Sequence, residues 1–401
     1  MPFFALPRSR TFWCALSLIV SLLLLIPLAC SRTNLTPTPT PTKTPTPRLA
    51  TSMANSSLPT ATWTPTAPVL SPTPTPASLG LAKPEPKPVI APTLSSEQSP
   101  FTGQKVDDLA VLERRPILIK ISNSPMARPQ SGLSRADVVV EHLTEGGMTR
   151  FTALYHSQDA IRVGSIRSAR LIDLELPVIF DALFVYSGAA ADVERMIQAS
   201  DFSDHTLSDW SGDPGFYRLE LPGLAWEHSL FTDTTLLWHI AQERGWNKRP
   251  DFNAWAFSQP PPPDGSLANT IDIPYHPRYS SVHYEYDAGL KAYRRWVAGE
   301  PHVDALTDQQ LAADNVVIIY VNHAETLIVE DSLGAHSVQI QLWGEGRMTL
   351  FRNGRGYGGI WSRPDRPSPL WLLDNARNPI PLKPGQTWIQ LVPTDLNVTA
   401  Q

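Results

Sequence analysis

At 401 residues the chain is too long for one ordinary domain and suits two, at about 100–200 residues each. A net charge of -5 and a pI near 6.1 exclude a nucleic-acid binder, whose domains are usually strongly basic, and two cysteines exclude a disulfide framework or a Cys-rich zinc site. Forty prolines are about twice the usual share of about 5%, and sixteen of them lie between Ser31 and Pro100, so the chain has two compositional regimes.

Arg8 and Arg10 precede an apolar run from Thr11 to Ala29, the pattern of an export signal over residues 1–29. Cys30 comes directly after Leu28 and Ala29 and resembles a lipobox cysteine, with Pro27 standing where Leu is usual. The expected partner is therefore the membrane, through a lipid on Cys30. An uncleaved helix is the alternative, since about 20 apolar residues span a bilayer. Both readings put the chain beyond Cys30 on the extracytoplasmic face. Cys14 lies inside the signal.

Residues 30–100 read TPTPTPTKTPTP, SPTPTP and KPEPKP. Proline has no N–H and restricts its predecessor to extended backbone, so neither helix nor ladder is expected. A semi-rigid polyproline-II tether is expected instead.

Residues 105–265 form a first folded block. Ile117–Ser122, Val138–Glu141, Phe151–Tyr155 and Ala182–Ser187 read as strands. Leu171–Phe180 and Ala191–Ala199 read as helices, and Thr232 or Asp233 caps a third that runs to Arg244 and stops at Gly245. Gly146-Gly147 reads as a tight turn.

The run RPILIKISNSPMARPQSGLSRADVVVEHLTEGGMTRFTALYHSQ, continuing to VGSIRSAR, resembles the YerB-like lipoprotein family over close to fifty residues. His228-Ser229-Leu230-Phe231-Thr232 is similar to a further element of that family, with Ser229 and Phe231 departing from it. The resemblance implies fold and location more than activity.

Arg128, Arg150, Arg162, Arg167 and Arg170 fall close together, in a stretch rich in Gly, Ser and Pro. Two readings stand. Guanidinium forks are built to hold phosphate or carboxylate; alternatively the arginines pair with Glu141, Glu145, Asp159 and Asp173 as structural ion pairs. Glu145 and His228 are the candidate polar residues for acid–base work. No HExxH or GxSxG motif, metal-ligand spacing or cofactor motif is present in the sequence.

Residues 275–396 form the second block. Val316–Val321, Thr326–Val329, Val338–Leu342, Met348–Phe351, Gly359–Trp361 and Trp388–Leu391 are short apolar or alternating runs, and Asn353-Gly354 is a hairpin turn signal. PHVD (301–304) and the closing LKPGQTWIQLVP are similar to elements of the same family. His302 and Asp304 sit at i and i+2, on one strand face, where a structural hydrogen bond and a metal site are the two readings. Trp343, Trp361, Trp371 and Trp388 are either core or a carbohydrate-stacking platform.

The fold class expected is α+β or mixed α/β: an N-terminal mixed sheet with helices, then a mostly antiparallel β unit. The function expected is a lipid-anchored binding or scaffolding protein of the cell envelope, recognising an anionic wall polymer or an envelope protein. An envelope hydrolase or transferase acting on an anionic glycan or phosphodiester is the alternative, and a purely structural module the third reading.

Overall fold

The computed structural model describes residues 89–401. The signal, Cys30 and nearly all of the Pro/Thr-rich segment lie outside the described residues. Near the start of the described residues the Gln98 side chain takes the main-chain N–H of Ser95, and Phe101 is fully buried.

The strands form where the aliphatic runs lie. In chain order they are β1 (Ile117–Ser122), β2 (Val138–Leu143), β3 (Thr149–Tyr155), β4 (Val163–Gly164), β5 (Leu183–Tyr186), β6 (Thr206–Ser208), β7 (Phe216–Arg218) and β8 (Leu230–Thr232). They continue as β9 (Ser266–Leu267), β10 (Thr270–Ile273), β11 (Val282–Asp287), β12 (Ala292–Val297), β13 (Asn315–Val321), β14 (His323–Val329), β15 (His336–Ile340), β16 (Gly344–Arg352), β17 (Arg355–Arg363), β18 (Trp371–Leu373) and β19 (Thr387–Pro393). Helices α1 (Leu176–Phe180), α2 (Ala191–Gln198) and α3 (Thr234–Glu243) are short.

The continuous helix expected over Leu171–Phe180 is instead a 3-10 turn, Leu171–Leu174, leading into α1. Pro177 explains the break: it has no N–H to offer Asp173, and its ring crowds that carbonyl. At α3 the cap is Asp233, whose side chain accepts the Thr235 N–H at 2.7 Å, while Thr232 ends β8. Gly146 and Gly147, at φ 68° and 73°, turn the chain from β2 to β3. Asn353 and Gly354, at φ 53° and 70°, close the β16–β17 hairpin as its signal predicts.

The principal sheet has eleven strands, ordered β18-β17-β16-β13-β19-β2-β3-β1-β5-β6, with β9 beside β17. Both sequence blocks feed it. Strand β19, near the C-terminus, lies between β13 and β2 and runs parallel to both, Thr387 facing Asn315 on one side and Val138 on the other. Their near-continuous apolar runs, NVVIIYV and TWIQLVP, are the signature of strands buried on both faces. The other ladders of the second block are mainly antiparallel.

Strand alternation assigns the two faces. Leu118, Val140 and Leu154 pack with Ile179 and Phe180 of α1 and Val193 and Ile197 of α2. Ile119, Val139, Phe151 and Ala153 pack on Ile271, Tyr284 and Tyr293 of a second sheet built on β10–β12, and on Leu237 and Trp238 of α3. The fold is thus α+β, with a mixed sheet sandwiched between helices and a second, antiparallel sheet.

Candidate functional site

Strands β1, β2, β5, β6, β13 and β19 run in one direction, so their carboxyl ends share one edge of the sheet. In open sheets of this kind, ligands bind outside those ends. Ser122, Thr144, Ser187, Asp209 and His323 close these strands or come soon after them, and each lines a cleft there.

The smallest cleft, 120 Å³, holds Arg150, Arg167 and His228, with the hydroxyls of Ser122, Ser124, Thr144 and Thr149 around them. Arg150 projects from β3 and is 8% exposed; its Nη1 donates to the Ser168 carbonyl at 2.6 Å and its Nη2 lies 3.4 Å from Glu145 Oε1. Arg170 stands behind it. Its Nε donates to Glu145 Oε2 at 2.7 Å, its Nη2 bonds the other Glu145 oxygen, and its Nη1 lies 3.2 Å from Glu330 Oε2. Burial alone would raise the Glu145 carboxyl, but the Arg170 hydrogen bond and the charges of Arg150 and Arg170 bring it down to about 2.

Arg167 is different. Its Nη1 donates to the main-chain oxygen of Glu227 at 2.8 Å, and it pairs with no carboxylate among the described residues. Burial lowers the pKa of Arg150, and the neighbouring Arg170 charge lowers it further, so the pocket is electropositive. His228 is only 5% exposed, yet its Nδ1 has no hydrogen-bond partner. Burial, then the Arg167 charge, pushes its pKa below the ordinary value, which leaves a neutral imidazole facing guanidinium. A buried polar atom left unpaired costs about 1–3 kcal/mol.

The fold therefore brings together Arg150, Arg167, Arg170, Glu145 and His228. The remaining candidates do other work. Arg128 bonds the Asn123 side chain at 3.1 Å and the Asn123 carbonyl at 2.8 Å, and also reaches the Tyr279 carbonyl. Arg162 bonds Ser131 Oγ at 2.8 Å and the Ala305 carbonyl. His302 bonds Arg295 Nη1 and, at 2.7 Å, Gln130 Oε1. Asp304 accepts the N–H groups of Gly132 and Ser134 at 2.8 and 2.7 Å. His302 and Asp304 thus serve separate partners, and the PHVD element clamps the PQSGL element of the first block. Trp388 and Trp361 are core residues, the latter donating to the Tyr320 carbonyl at 2.9 Å, and Trp371 is half-buried; of the four only Trp343 is exposed, so they form no platform.

Two buried charge clusters were not anticipated. On one sheet face Lys120, wholly buried, lies 2.7 Å from Asp173 Oδ2 and 2.6 Å from His142 Nε2. Burial, countered by Asp173, brings its ammonium down to about 8. On the opposite face Arg295 meets Glu141 at 2.6 Å. The signal was present in ILIKIS: a lysine inside an apolar strand must find a buried counter-charge.

The fold and this rim define an α+β protein of two interlocked sequence blocks, sharing one mixed sheet with an arginine-rich pocket at its carboxyl edge. The chain belongs to the family described as "Protein of unknown function (DUF3048)": its N-terminal domain matches residues 101–247 and its C-terminal domain residues 271–389. A Bacillus subtilis (strain 168) protein named "Putative lipoprotein YerB" is 30% identical over 314 residues, covering 77% of this chain and 89% of that protein. The crystal structure of YerB protein from Bacillus subtilis superposes with a TM-score of 0.62 at 28% identity, covering 75% of this chain and 99% of that one.

Proposed function

We propose that the protein is a lipid-anchored binding protein of the cell envelope, whose rim recognises the anionic groups of a wall polymer. The observation that carries this reading is Arg167 beside the unpartnered His228 Nδ1, in a pocket lined with hydroxyls and backed by Arg150. The anchor rests on the apolar run that ends in Leu28-Ala29-Cys30, and the name of the Bacillus subtilis relative supports it. The Pro/Thr-rich sequence between Cys30 and the folded part suits a spacer.

The hydrolase reading finds less support. Glu145 is gripped by Arg170 and held near 2, so it has no proton to donate near neutrality.

The test is equilibrium binding of inorganic phosphate and of poly(glycerol phosphate) to the full chain in detergent. Arg167→Ala is expected to weaken both by about ten- to a hundred-fold, the size of one charge-assisted hydrogen bond. Equal binding by a still-folded variant rules out the site. Separately, Cys30→Ala is expected to abolish palmitate labelling and release the protein from membranes; unchanged labelling contradicts the anchor.

A further inference from the structure

A second cleft, of 280 Å³, shares Arg167 and Glu227 with the arginine pocket and carries a different chemistry. Trp210 and Trp226 line it. They are 83% and 68% exposed, the most exposed tryptophans among the described residues. Indoles so exposed contribute little to the core, and large aromatic faces left in water beside convergent polar groups mark a binding surface.

The two rings are held in place. The Trp210 stem lies on Gly188, where a Cβ would come within 3.0 Å of it and where φ is +100°. The Arg218 guanidinium sits 4.0 Å over the Trp226 ring, while its Nη1 donates to the Trp226 carbonyl at 2.9 Å and its Nη2 to Asp209 Oδ2 at 3.2 Å. One arginine thus ties Trp226 to the residue next to Trp210. It covers one indole face and, at that exposure, leaves the other open.

We infer that this cleft seats a pyranose ring, so that the ligand of the adjoining arginine pocket is an anionic glycan rather than a simple polyol phosphate. This rests on the anion reading above. A pyranose presents an apolar C–H face, which stacks on indole, and a rim of hydroxyls. Those hydroxyls accept from Arg167 and Arg218 and donate to Asp209 and Glu227, all lining this cleft. With Arg167 common to both cavities, a phosphate or carboxylate on the sugar falls into the arginine pocket as the ring meets Trp226. A polyol chain has no face to stack.

The experiment compares three probes on the full chain in detergent: an α-glucosyl phosphate, glycerol phosphate and methyl glucoside. The glucosyl phosphate is expected to bind at least ten-fold tighter than glycerol phosphate. Replacing both exposed indoles, Trp210→Ala with Trp226→Ala, is expected to erase that preference while glycerol phosphate binds as before. Trp226→Phe, which keeps a ring face, is expected to retain part of it. Arg167→Ala is expected to weaken both phosphates, and methyl glucoside is expected to bind weakest of the three. Equal affinity of the two phosphates for the unaltered protein overturns the inference and leaves the anion site standing, as does a preference that survives loss of both indoles. Failure of both phosphates to bind overturns both readings.

Discussion

Two arginine–histidine pairs in this molecule have the same chemical ingredients and opposite states. Arg295 and His302 lie between the sheets. The guanidinium donates to Glu141 at 2.6 Å and to Tyr284 Oη at 3.3 Å, lies 4.7 Å from the Trp388 ring centre, and meets His302, whose other nitrogen bonds Gln130. Every direction is taken. Arg167 and His228 lie at the rim, where the guanidinium bonds a single carbonyl and the imidazole keeps an unpaired nitrogen. Both histidines are nearly inaccessible, while Arg295 is fully buried and Arg167 only half-buried. Saturation separates the pairs further: the first is a weld between sequence blocks, and the second has bonding capacity left.

The largest effect is expected at the weld. Arg295→Met leaves Glu141 buried and unpaired, which costs about 3–5 kcal/mol in unfolding free energy by urea titration. A loss below about 1 kcal/mol would show the pair to be dispensable.

Acid should attack the welded interior next. His142, His156 and His302 are buried and held neutral: burial lowers all three, and Lys120, Arg114 and Arg295 respectively push them lower. For a base whose folded pKa is depressed, the unfolded chain protonates first, so stability falls as pH drops below about 6.5. Asp137 opposes this, because burial raises its carboxyl to about 6 and the folded state takes that proton first. The lowered imidazoles, with His228 at the rim among them, outnumber the one raised carboxyl, so the unfolding free energy is expected to fall steadily as pH drops from about 6.5 to about 4.5. A flat profile across that window contradicts the assignment.

Arg170→Ala removes the shared partner of Glu145 and Glu330 behind the pocket, with an expected loss of about 2–3 kcal/mol. It tests whether the pocket's back wall belongs to the saturated class. A neutral outcome places Arg170 with Arg167 instead.

Much of this was legible in the sequence, for local reasons. Aliphatic runs such as ILIKIS and VVIIYV, the Asn353-Gly354 turn and the Asp233 cap act over a few residues, and their geometry comes from local chemistry. The closeness of Arg150, Arg167 and Arg170 was also readable. What each arginine does was not, because that depends on distant partners: Arg170 is spent on Glu330, and Arg295 on Glu141 across 154 positions. The run TWIQLVP marks β19 as a strand buried on both faces, but which strand it lies beside is likewise set by distant partners. Tryptophans in β-patterned segments drew the eye as a platform, yet those strands bury Trp361 and Trp388; the most exposed indoles stand in the segments DWSGD and LAWEH.

Unfilled bonding capacity and a half-buried Arg167 set the rim pair apart from the weld, and Arg167→Ala, followed for both stability and phosphate binding, puts that difference to trial. The unfolding free energy is expected to stay within about 0.5 kcal/mol of the parent, as for a residue outside the packed core, while phosphate affinity falls at least ten-fold. Unchanged affinity, or a stability loss as large as that of Arg295→Met, would show that the two pairs do not differ in this way.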